Sequence, residues 1–171
     1  MKRTTLSLSA MLILGVLLAR PLQAQALQDN LGFLAPLVGG AWEGQMRLPP
    51  DGKKTAAVSL RFELMWDGAA VKYARSVPDL KFAQEGYVYW DADAKKACLF
   101  ALDSRGGART GDVALVEGQV TFTGRMAMQG KTFDYKNTFA IGSDGKLTDR
   151  WFQNAFGPWQ PGHVIEFGRH D

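Results

Sequence analysis

From residue 41 onward, apolar and polar side chains alternate with a period of two. The clearest run is Val58, Leu60, Phe62, Leu64 and Trp66, with Ser59, Arg61 and Glu63 between them. Val120, Phe122, Met126 and Met128 alternate with Thr121, Thr123, Arg125 and Gln129. Phe133, Tyr135, Phe139 and Ile141 do the same with Asp134, Lys136 and Thr138. Successive side chains of a strand point to opposite faces, so each run has one greasy face and one wet one, as in antiparallel sheet solvated on one side.

Turn signals punctuate these runs at short intervals. They are Pro50-Asp51-Gly52, Asp67-Gly68, Pro78-Asp79, Asp91 to Asp93, Arg105-Gly106-Gly107, Glu117-Gly118, Gln129-Gly130, Asp144-Gly145 and Pro161-Gly162. The segments between them predict about ten strands, near 41–48, 55–66, 69–77, 81–91, 95–103, 109–117, 119–128, 131–142, 146–156 and 162–169. No helical gap separates them, which excludes crossover connections and parallel sheet. Consecutive hairpins make a meander, and a ten-stranded meander exposes two edges unless it closes on itself. The expected fold is therefore all-β: an up-and-down antiparallel β-barrel, with a sandwich as its rival.

Ahead of the strands the period is helical. Leu31, Leu34, Leu37 and Val38 share one face, Asp29 or Asn30 is the expected cap, and Gly39-Gly40 ends the element. This short N-terminal helix is expected to cover one end of the barrel.

The first 26 residues read differently again. Lys2 and Arg3 precede an uncharged stretch from Leu6 to Ala19, then Pro21, then Ala24-Gln25-Ala26. That is the plan of a cleavable signal peptide, and a run of about 14 residues is short of the roughly 20 that span a bilayer. The expectation is export to periplasm or medium, with no membrane anchor after cleavage and a single domain over 27–171. Cleavage also changes the charge. The whole chain has 20 basic and 17 acidic residues, but Lys2, Arg3 and Arg20 fall in the leader, which leaves 17 against 17. The pI of about 9.1 belongs to the precursor. Nucleic-acid binding needs a clustered basic excess, and none is visible. Cys98 is the only cysteine, so no intramolecular disulfide forms, and its apolar neighbours suggest a buried, inert thiol.

Candidate chemistry is sparse. The chain has two histidines, His163 and His170. His163 shares strand parity with Ile165 and Phe167, which points its imidazole into the barrel, where a neutral His can ligate a metal or a haem iron. His170 is expected to be solvated. Asp149 shares parity with Leu147 and Trp151, so it too faces inward, and a buried carboxylate must be paired. Arg150, Tyr135 and Asn137 join it as candidate polar contacts for a ligand, and Trp159, in the last loop, as an aromatic gate. There is no G-x-S-x-G elbow, H-E-x-x-H, P-loop or G-x-G-x-x-G, so an enzyme is not the favoured reading.

Gly40-Ala41-Trp42-Glu43-Gly44, preceded by Leu34-Ala35-Pro36-Leu37-Val38-Gly39, resembles the calycin superfamily, which includes lipocalins, fatty-acid-binding proteins and ten-stranded nitrobindin-like barrels. The chain is most similar to the exported members without an established activity. The resemblance implies that Gly40, Trp42 and Gly44 form the structural motif, with Trp42 closing one end of the core and Arg169 from the last strand packed over its ring. The third Gly of the nitrobindin motif would fall at Met46, a departure. In nitrobindin-like proteins a His just after a Pro early in the last strand is the axial haem ligand. Pro161-Gly162-His163-Val164 resembles that arrangement with one residue inserted. The expected function is an exported binder of a small hydrophobic or amphipathic molecule, with no cofactor. A haem protein using His163 as its metal ligand, an enzyme on a small hydrophobic substrate, and an interaction protein without an interior ligand stand as alternatives.

Overall fold

The computed structural model describes residues 27–48, 53–155 and 157–170. The leader, the Pro50-Asp51-Gly52 turn and Phe156, the end of the strand expected over 146–156, lie outside the described residues.

Ten strands run in chain order: β1 (Ala41–Arg47), β2 (Thr55–Met65), β3 (Ala70–Val77), β4 (Phe82–Asp91), β5 (Lys96–Asp103), β6 (Ala108–Val116), β7 (Gln119–Met128), β8 (Lys131–Ile141), β9 (Leu147–Gln153) and β10 (Gln160–His170). Each pairs antiparallel with the next, and β1 pairs with β10 over Ala41↔His170 to Gly44↔Phe167. The sheet is a closed barrel with no free edge, as the alternation predicts.

Local chemistry explains the hairpins. Glu117-Gly118 and Gln129-Gly130 are two-residue loops in which both residues have positive φ (50° and 75°, 52° and 74°). These turns match the right-handed twist of the strands they join, and the glycine takes the second position without steric cost.

The N-terminal element is a 3₁₀ helix, Asp29–Leu34, and neither Asp29 nor Asn30 caps it. Gln28 holds the cap position without a side-chain bond. The reason is a tight three-residue period and tertiary anchoring in place of a cap: Gln28 N–H donates to Gly68 O, and Leu31, Leu34 and Leu37 are buried in the barrel end. Above them sits a plug of rings. Phe62, Tyr73, Phe122 and Phe139 meet at centroid distances of 5.1–6.4 Å, mostly edge to face.

Trp42 is buried at the same end and donates its indole N–H to Leu37 O at 3.0 Å. The Arg169 guanidinium lies over its ring, 5.5 Å from the centroid, and donates to Gly39 O. Gly40, at φ 150°, leaves room for this Arg: a Cβ there would come 2.8 Å from Arg169 Nε. A Cβ at Gly44 would collide with the Glu166 carbonyl of β10. The three motif residues therefore fasten the closing strand pair.

Candidate functional site

The rings fill the helix end of the barrel and leave the opposite end hollow. There a cavity of about 210 Å³ opens between the end of β1, the start of β4 and the start of β10. Its wall is apolar, with Met46, Val77, Leu80, Met126, Met128 and Ile165, and the rings of Phe82 and Phe133. The polar groups that reach it are Arg75, Arg105, Arg109, Gln153 and His163, beside the face of Trp151.

Asp149 anchors this floor. It has no exposed surface, and it accepts from Arg75 Nη2, from Asn137 Nδ2 and, when His163 carries its proton on Nε2, from that nitrogen at 3.3 Å. Burial pushes the Asp149 pKa up, but the Arg75 cation, His163 and Asn137 reverse the effect and hold it below the usual carboxylate range. The partner of the buried acid is thus Arg75 of β3, whose own charged form burial opposes and Asp149 restores. His163 Nε2 also lies 3.3 Å from Arg75 Nη1. One nitrogen does one thing at a time: protonated it donates to Asp149, and with the proton on Nδ1 it accepts from Arg75. Burial lowers the His163 pKa, Asp149 works against that, and the nearby Arg75 and Arg109 cations reinforce it.

A stack of rings runs beside this cluster. Trp151 lies flat on Tyr135 (5.1 Å, 10°) and faces His163 (6.2 Å, 17°). The Arg109 guanidinium covers the Trp151 ring at 4.2 Å and approaches Tyr135 at 5.6 Å. The insertion after Pro161 is what puts His163 there. Between Pro161↔Phe152 and Val164↔Arg150 the register slips by one residue, a β-bulge in β10. Gly162 sits in the bulge against the edge of Trp151, where a Cβ would collide with the indole.

Of the predicted site residues, only His163 borders the cavity. Asp149, Asn137 and Tyr135 are buried behind it: the first two carry the polar network, and Tyr135 backs Trp151. Burial pushes the Tyr135 hydroxyl up to about 12. Arg150 is a correction. It alternates with Asp149 and points to solvent, so only its backbone carbonyl takes part, accepting from Asn137 Nδ2 at 3.0 Å. Trp159 stands 53 % exposed in the loop before β10 and does not line the cavity. His170 is exposed, 3.7 Å from Glu43. Cys98 is half-buried on the outer face of β5 and not in the core, and what burial it has pushes its thiol pKa up.

Three cationic residues that the sequence reading missed reach the cavity, Arg75, Arg105 and Arg109. Arg75 was legible, since Tyr73, Arg75 and Val77 alternate with Lys72, Ala74 and Ser76 in β3. Arg109 was less so, because the apolar pattern of β6 is broken by Gly111 and Asp112.

The Nε2 nitrogen of His163 is not placed to ligate a haem iron. An axial ligand needs a free imidazole nitrogen aimed at open space, whereas His163 Nε2 is held between a carboxylate and a guanidinium. Among the described residues no three His, Cys, Asp or Glu side chains cluster as metal ligands.

No family model and no curated protein sequence matches the chain. Among solved structures it is similar to the crystal structure of Rv2717c from M. tuberculosis, with a TM-score of 0.56 and 15 % identity over 85 % of this chain and 99 % of that one. At that identity the likeness shows the fold: a closed ten-stranded barrel.

Proposed function

We propose that this is an exported, calycin-type barrel that binds a small apolar or amphipathic molecule in the cavity at its open end. The observation that carries the reading is the division of the interior. One half is packed with its own rings, and the other is a hollow with greasy walls and a fixed polar floor. Ligand sites have that composition: mostly apolar surface, with a few positioned polar groups to orient the guest. The salt-bridged floor is held by Asn137 and His163 independently of any guest, which preorganises the site and lowers the entropic cost of binding. The volume is below the usual range of about 300–1,000 Å³ for drug-sized ligands, so the guest is small or extends out of the mouth.

The test uses a neutral lipophilic fluorophore, 1-aminoanthracene, titrated into the purified protein. Saturable enhancement is expected for the wild type and its loss for Met126→Trp, which fills the cavity from its wall. Equal enhancement in the two proteins would place binding elsewhere and sink the reading.

A further inference from the structure

We infer that the guest is an acid, and that Arg109 holds its carboxylate. This deepens the ligand-binding reading above and rests on it. The inference starts from the charges around the hollow. Arg75 is neutralised by Asp149, and both are almost completely buried. His163 is kept neutral by its surroundings. Arg109 is different. It is only 7 % exposed, it borders the cavity, and among the described residues it forms no ion pair. Its Nε–H is buried with no acceptor. The carboxylate whose field reaches it, Asp103, spends Oδ1 on the backbone N–H groups of Arg105 and Gly107.

What Arg109 has instead is the Trp151 ring at 4.2 Å. A cation–π contact offsets only part of what burial costs an unpaired ion. The balance is negative as it stands, and burial lowers the Arg109 pKa accordingly. A second guanidinium, Arg105, stands at the rim, 5.5 Å over the Phe82 ring and donating to Leu80 O at 2.9 Å, and among the described residues it too has no acidic partner. The hollow is therefore an apolar chamber with a net positive floor. An anion entering it removes the deficit, while a cation or a neutral head does not. With Trp151 under the guanidinium and its buried Nε–H without an acceptor, Arg109 keeps donors for a planar acceptor such as a carboxylate. The volume, about seven water molecules' worth, suits a small acid with its apolar part against the Met and Phe wall.

Calorimetric titration with octanoate and octanol, which share a chain and differ in the head group, tests this at pH 7.5 and low salt. The wild type is expected to favour octanoate by about 10- to 100-fold, the value of a hydrogen-bonded charge. The ratio should fall to about one in Arg109→Met and survive in part in Arg109→Lys. Should Arg109→Met fail to fold, the wild-type ratio decides alone. A ratio near one, preference for octanol or octylamine, or a preference that persists in Arg109→Met overturns the inference. If those results come with 1-aminoanthracene still bound in the hollow, the ligand-binding reading stands without it. If neither the fluorophore nor either probe binds, both readings fall.

Discussion

Asp149 shows how a single buried side chain organises its neighbours. Withdrawing a carboxylate and a guanidinium from water costs several kcal/mol each, and attraction repays this only where the remaining lone pairs find donors. Asp149 meets that condition through Arg75, Asn137 and His163, which come from three strands, β3, β8 and β10. His163 completes the set in its neutral form. Its pKa is lowered in the fold, first by burial and then by Arg75 and Arg109, against the pull of Asp149. In the unfolded chain it returns to about 6.5. Below that value the unfolded state binds the proton more readily than the folded one, so folding stability drops as pH falls through 6.5 and is unaffected by this group above it. Denaturant midpoints measured from pH 7.5 to 5 should therefore decline in the wild type, and the decline should be shallower in His163→Gln. Parallel profiles for the two proteins would show that the imidazole is not held neutral.

At the scale of elements, β10 does two jobs with one sequence. Its second half closes the barrel on β1, and its first half bulges so that His163 meets the floor. The glycines along it separate these jobs. Gly162→Ala places a methyl group against Trp151 and should cost about 1–3 kcal/mol of stability, the range for overpacking. Gly168→Ala, where nothing lies within 4 Å, should stay within about 0.5 kcal/mol. Chemical denaturation of the two variants checks this, and equal losses would contradict the packing described. Strand positions were readable from the sequence because a two-residue period and glycine-bearing turns are local signals, and each predicted strand is present. The first helix was misread at its cap because Gln28 is fixed by Gly68, a partner 40 positions away that no local signal marks.

For the whole molecule, closure divides the interior into a packed end and a hollow end. Which polar groups meet in the hollow depends on strand order and tilt. Parity alone showed that Asp149 and His163 face inward, but not that Arg75, 74 positions from Asp149, would be the acid's partner. Nor did it distinguish residues on the cavity wall from those behind it, where Asn137 and Tyr135 lie. The most direct measurement is an amide and indole NMR titration of the wild type with octanoate. Saturable shifts are expected at Trp151, Arg109, His163 and Ile165, with the ring plug around Phe62 and Phe139 unmoved. Shifts confined to the outer face of the sheet would contradict a binding site in the barrel mouth, and none at millimolar octanoate would contradict an acid guest there.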